Sequence, residues 1–333
     1  MCGGFTRWCR MNRVTGLPHN ERGVALLTVV LVVSIVTVLA TAMASRQQMD
    51  IRRAANVLSI DQLDQYARGA ELIAAWGLQE DITANEGAQY DTPDETWAMP
   101  VGFEVENGSV GGQMVDLNRY LNINNLVNDD GQPVTPEIER MKRLFDALGQ
   151  NTSLVDALVD WIDPDQQVFG LGGAEDGEYL LMKPPYRAAN RAMLSISELQ
   201  LVKGFTPEVR RELVDDDGNP LLTVFPGENN SKVNVNTASW QIIQASLKGM
   251  GDGDADTLAS EEYEKLSDFM AEPVVNQASN REDAEQMLDV SSHYFLLDGY
   301  ITFGNRDLAL YSVLKRDNST GKSIVIYRSQ GVN

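Results

Sequence analysis

Gly23-Val24-Ala25-Leu26-Leu27-Thr28-Val29-Val30-Leu31-Val32-Val33-Ser34-Ile35-Val36-Thr37-Val38-Leu39-Ala40-Thr41-Ala42-Met43-Ala44-Ser45 contains no charged residue. It is long enough to cross a bilayer core, for which about 20 apolar residues suffice. Four arginines (Arg7, Arg10, Arg13 and Arg22) precede it against one acid, Glu21. The first 23 residues therefore carry +3, and the rest of the 333-residue chain carries −24 of the net −21. A basic flank before the span and an acidic body after it put the N-terminus in the cytoplasm and the body across the membrane. Past Arg46, apolar residues recur at Ile51, Ala55, Leu58, Leu63, Tyr66, Ala70 and Ile73, close to a 3.6 period. This predicts one helix from about Val24 to about Leu78, greasy first and amphipathic later. A cleaved secretory signal is the competing reading, with Ala42-Met43-Ala44 imitating its cleavage site. The apolar run is too long for it, and the helical pattern continues beyond.

Composition narrows the possibilities. Hydrophobic residues are 43% and charged residues 23%, which are globular values and exclude disordered or fibrous chains. The length predicts one large domain or two moderate ones. So acidic a body is a poor nucleic-acid binder, because phosphate contacts need clustered Lys and Arg. Cys2 and Cys9 lie before the span and His19 and His293 are the two histidines. That inventory excludes Cys/His zinc sites and a His-centred triad.

The body reads as a split domain. Val101–Val105 and Ser109-Val110 flank Asn107-Gly108, a hairpin signal. Residues 294–303, 308–315 and 323–328 are rich in β-branched and aromatic residues and read as terminal strands. Between these regions the pattern is helical. Thr135-Pro136 opens a helix over 137–148, Leu154, Leu158 and Trp161 form an apolar face, and Ser195 to Glu198 fits a capping box before Leu199 and Val202. Residues 236–247 and 261–270 read as helices too.

Asn20-Glu21-Arg22-Gly23 ahead of Val24-Ala25-Leu26-Leu27 resembles the type III leader of type IV pilins and pseudopilins. The resemblance extends to the minor pseudopilins of the K class in type II secretion systems. It rests on Val115-Asp116-Leu117-Asn118, Asp160-Trp161-Ile162-Asp163-Pro164-Asp165, Gly173-Ala174-Glu175-Asp176 with Tyr179, Pro185-Tyr186 with Asn190, and Ser197-Glu198-Leu199. Val233-Asn234-Val235-Asn236-Thr237-Ala238 and Ser292-His293-Tyr294-Phe295 complete it. The fifth residue after Gly23 is Thr28, where most pilins have Glu. The K class lacks that Glu, and Thr28 fits the class.

The resemblance implies an α+β, type IV pilin-like fold with a long N-terminal helix, transmembrane in its first half, on a small antiparallel sheet that carries a large, mostly helical insert. Its parts are the leader (1–23), the membrane half of the helix (24–45), the first pilin part (46–118), the insert (119–288) and the terminal strands (289–333). Met1 and Met11 both remain open as the start. The resemblance further implies cleavage by a prepilin peptidase between Gly23 and Val24, methylation of the new terminus, and an assembly role for Thr28. Its implied partners are the I and J class minor pseudopilins, other pseudopilins and the inner membrane, with the body in the periplasm and later at a pseudopilus tip.

Asp160, Asp163, Asp165, Glu175 and Asp176 surround a Gly-rich loop. Hard oxygen ligands at this spacing suit calcium. It is no EF-hand, since the sixth place from Asp163 is Val168 and the twelfth is Ala174. The residues alone leave a cation site and a solvated acidic loop both open. The resemblance implies calcium, on Asp163, Asp165, Glu175 and Asp176. Asp252, Asp254 and Asp256 read as a mobile surface loop, Asp215 to Asn219 as a turn, and His293 as a half-buried sheet residue. Residues 233–238 are similar to the start of helix-hairpin-helix modules, but the three Asp that follow would repel phosphate, and the reading is a structural element. Two other functions stay in view. A tethered metal-dependent hydrolase on the Asp163 cluster would need a turnover assay to support it, and an uncleaved membrane-anchored binding protein would keep its leader.

Overall fold

The computed structural model describes residues 20–84 and 90–332. The two cysteines, His19 and the leader up to His19 lie outside the described residues. The chain divides into two compact units, one up to Gln62 and one from Leu63 on.

A single helix, α1 (Asn20–Ala84), occupies the first unit and enters the second. In the first unit its side chains from Gly23 through Leu58 are exposed, and the helix is long and apolar enough to cross a membrane. Hydroxyls at Thr28, Ser34, Thr37 and Thr41 bond back to the helix. Thr28 donates to the Ala25 carbonyl at 2.9 Å, and Ser34 and Thr37 donate one turn back at 2.8 Å. Lipid tolerates such groups only when they are bonded within the helix.

In the second unit α1 buries Leu63, Ala67, Glu71, Ala74, Leu78 and Asp81. This stripe departs from the expected one, because Ile73 is 45% exposed while the next residue is buried. The stripe holds two acids because the sheet supplies their partners. Arg328 donates through Nε to Glu71 at 2.7 Å and Ser312 bonds the same carboxylate. The helix also runs six residues beyond Leu78, to Ala84.

The sheet is antiparallel and five-stranded. β1 (Val101–Val105) and β2 (Gly108–Asp116) form the expected hairpin. Its left-handed residue is Asn107, φ +63°, so the turn is Glu106-Asn107. Gly108 is a glycine for another reason: a Cβ there would lie 1.9 Å from the Thr302 carbonyl. Two short parallel pairs follow, β3 (Leu121–Asn122) with β4 (Leu222–Thr223) and β5 (Val233–Asn234) with β6 (Leu288–Asp289). The terminal strands are β7 (Tyr294–Phe303), β8 (Arg306–Arg316) and β9 (Ser323–Val332), giving the order β1-β2-β7-β8-β9. Inward residues Val110, Phe295, Leu297, Ile301, Leu310 and Leu314 pack on the α1 stripe and Trp97. Each such side chain contributes about 1.5–3 kcal/mol when fully buried.

β2 and β7 are neighbours, yet the chain between them builds a second, mostly helical layer with its own core around Leu144, Phe145, Leu158, Phe205 and Phe269. Its helices include α2 (Thr135–Ala147) and α3 (Leu154–Ile162). The joint with the sheet is polar and buried. Asp116 accepts from the Ser292 hydroxyl at 2.6 Å, from Thr237, and from the Asn118 amide at 2.7 Å. Asn118 in turn accepts from the amides of His293 and Tyr294 at 2.9 Å. Asn234 donates to Ser292 at 2.9 Å and to the Asp91 carbonyl at 3.0 Å. Phe225 stacks on Tyr294 at 4.1 Å. The Val-Asp-Leu-Asn, Val-Asn-Val-Asn and Ser-His-Tyr-Phe motifs are thus the two sides of one joint.

Three local expectations change. Residues 252–259 form a helix rather than a mobile loop, since Asp252 and Asp254 in a first turn suit the positive end of the helix dipole. The helix expected over 261–270 spans only Leu266–Ala271. His293 is exposed and stands just ahead of β7.

Candidate metal centre

α3 carries acids at positions 156 and 160 and ends at Asp163, its C-cap. These spacings of four and three place all three on one helix face. The Gly-rich loop then folds back over that face. Phe169 donates its amide to Asp160 at 2.8 Å, and Gly172 donates to Asp156 at 3.2 Å. Only glycine permits this approach. A Cβ on Gly173 would lie 2.3 Å from Asp160 Oδ2, and one on Gly170, where φ is +60°, would lie 2.4 Å from Asp156 Oδ2. The chain emerges at Glu175, the N-cap of α4 (Asp176–Tyr179).

Carboxylate oxygens of Asp160, Asp163 and Glu175 come within 4.8 Å of one another, and all three residues are buried. Among the described residues, Asp160 Oδ2, Asp163 Oδ1 and both Glu175 oxygens have no hydrogen-bond partner. Burial pushes the Asp160 carboxyl up to about 6 against the hydrogen bonds that hold it down. Burial, with Asp165 and Asp160 nearby, pushes Asp163 up to about 7, and burial with the neighbouring acids does the same to Glu175. Unsatisfied buried carboxylates are costly. A cation removes both the repulsion and the missing bonds. The donor set is all oxygen, with no His or Cys, and so fits a hard divalent ion such as calcium or magnesium.

The four residues implied at the sequence level divide here. Asp163 and Glu175 converge, joined by Asp160. Asp176 turns toward Arg187, at 2.6 Å, and accepts from the Ala188 amide at 3.1 Å. Asp165 is exposed and caps its own loop through the Gln167 amide at 2.7 Å. Asp160 is the residue missed as a ligand; its signal is the one-face spacing along α3. Asp156 is drawn off by Lys142 of α2 at 2.6 Å. The other motif residues brace the centre. Trp161 packs edge-on against Tyr179 at 5.2 Å and Tyr186 at 6.3 Å, and Asn190 donates to the Asp165 carbonyl at 2.9 Å.

A second acid group, Asp81, Asp91 and Glu95, already has a cation. Arg316, 2% exposed, donates to Asp91 at 2.7 Å and to Asp81 at 3.3 Å.

A long apolar helix continuing onto an antiparallel sheet, with a helical layer set between two adjacent strands, defines a pilin-like protein with an insert. A family model described as Type II secretion system (T2SS), protein K matches residues 119–227. Type II secretion system protein K of Pseudomonas aeruginosa is 33% identical over 326 residues, 94% of each chain. That of Klebsiella pneumoniae is 29% identical over 91% of this chain and 94% of its own. The solved GspK-GspI-GspJ complex of the enterotoxigenic Escherichia coli type 2 secretion system contains a chain of the same fold. Its TM-score is 0.71 at 22% identity, covering 84% of this chain and 99% of that one. The chain belongs to the type II secretion system protein K family, the minor pseudopilins of the K class.

Proposed function

We propose that this minor pseudopilin is the terminal subunit of a periplasmic pseudopilus, where it joins the I and J class minor pseudopilins and helps start or limit assembly. The observation that carries the reading is the position of the insert between β2 and β7. A subunit stacked above would have to clear that whole layer. The fold-mate solved as a complex with GspI and GspJ supports the choice of partners. Thr28 supports it as well. A Glu in the membrane half of α1 would cost roughly 2.5–3.5 kcal/mol on insertion scales and is retained only with a partner; a subunit with none above it has no use for one.

In this reading prepilin peptidase cuts between Gly23 and Val24, the new terminus is methylated, and the apolar helix holds the protein in the inner membrane with its N-terminus cytoplasmic. Mass spectrometry of the mature chain checks the cut, and an intact leader or a cut after Ala44 would overturn it. Calcium sits on Asp160, Asp163 and Glu175 and pins the loop over α3. Its role is structural, and the protein turns over no substrate.

The deciding experiment labels a tag near Asp254, which is exposed, in overexpressed filaments. One label at one end is expected, with co-purification of the full chain and its I and J class partners from detergent. Label repeating along the shaft would overturn the reading.

A further inference from the structure

β1 ends the sheet, with β2 on one side and no strand among the described residues on the other. Sheet edges are ordinarily blunted by Pro, by inward charge or by a covering element. Among the described residues this strand has none of these. Pro100 precedes it, and its one charge, Glu104, falls on the face away from Val101 and Phe103.

Grooves open on both faces of the same edge. The inner one, about 360 Å³, lies between the edge and α1. Ile73, Trp76, Met99, Val101 and Phe103 line it, and Glu80 is its one charged side chain. Trp76 is 63% exposed there and Phe103 47%. The outer one, about 350 Å³, is lined by Pro100, Gly102, Gln113, Asp298 and Tyr300, and Asp298 is its one charge. Missing side chains make this room. A Cβ on Gly111 would lie 2.5 Å from the Tyr300 ring, and one on Gly112 would lie 2.6 Å from the Asp298 carbonyl.

We propose that β1 is a docking edge for an extended segment of another protein, added to the sheet as a further strand, with alternating apolar and basic side chains. An added strand bonds the free amides and carbonyls of β1 and sends successive side chains to opposite faces. The apolar set enters the inner groove, and the basic set meets Asp298 in the outer groove. A docked helix would fill the inner groove but leave the strand's polar groups and the outer groove unused.

The test uses the full chain in detergent micelles and a capped seven-residue peptide of alternating lysine and valine, read by amide hydrogen exchange. Saturable slowing at Gly102 and Glu104 is expected, with β9 unchanged. Asp298→Asn is expected to weaken binding by up to about fivefold, the range of an exposed ion pair. A peptide of the same composition with lysines and valines in blocks should not bind. Protection confined to α1, equal protection of β9, unchanged affinity in Asp298→Asn, or equal binding of the block peptide would overturn the proposal.

Discussion

Asp160 and Asp176 are both acids of the Gly-rich segment, and their surroundings give them opposite fates. Asp160 Oδ2 is buried without a partner, whereas Asp176 holds Arg187. Calcium at about 100 times its dissociation constant stabilises by roughly 2.7 kcal/mol. Chelation is therefore expected to lower the melting temperature of the full chain. Asp160→Asn and Glu175→Gln should each abolish that response, and Asp176→Asn should keep it. If Asp176→Asn also lost the response, the centre would be assigned to the wrong acids. Terbium emission excited through Trp161 gives a second readout. Asp81 offers a test away from this centre. Burial, with Glu95 and Asp91 beside it, pushes its carboxyl up to about 6, while Arg316 pulls it down. The folded state thus holds the proton more tightly than the unfolded chain, whose value is about 3.9. That contribution is full below about pH 4 and is lost as pH rises through 6, a change on the order of 3 kcal/mol. The stability difference between wild type and Asp81→Asn should follow this slope in urea titrations; a flat difference would remove the assignment.

Glycine at the element boundaries decides how closely strands and loops approach. Gly108→Ala is expected to destabilise the second unit by more than about 2 kcal/mol, because the backbone at Thr302 cannot yield to a Cβ. Thermal melts check this, and an unchanged midpoint would mean that β2 and β7 are spaced more widely. Gly173→Ala belongs to the same class and should remove the calcium response. The strands and the hairpin were legible in sequence because alternation and Asn107 carry local signals. The lower half of α1 was legible as a helix, but its buried face was not. Glu71 and Asp81 read as solvated positions until Arg328 and Arg316, far along the chain, are brought to them. The candidate centre was half legible for the same reason. Sequence spacing shows that acids gather, but which carboxylates converge depends on the loop folding back and on Lys142 and Arg187 drawing two others away.

For the whole molecule, the proposed function makes the insert the part that sets filament behaviour. Removing it is sterically feasible, since the Leu117 amide already bonds the Tyr294 carbonyl at 2.9 Å and a short turn can join the two. The shortened full-length chain is expected to give longer or misregulated pseudopili in electron micrographs; filaments of unchanged length would separate the insert from length control. The way the insert is tied on has a mechanical consequence. Both of its ends leave from the same end of two neighbouring antiparallel strands, at the Asp116–Phe295 pair. Tension along such a stem draws both strands the same way and is borne in shear by their ladders to β1 and β8. Thrust along it instead presses the head onto the sheet end, where Phe225 already lies flat on Tyr294 and Asp116 is clasped by Ser292 and Thr237. The stem therefore carries load along the strands in both senses, pull through the ladders and thrust through the polar joint.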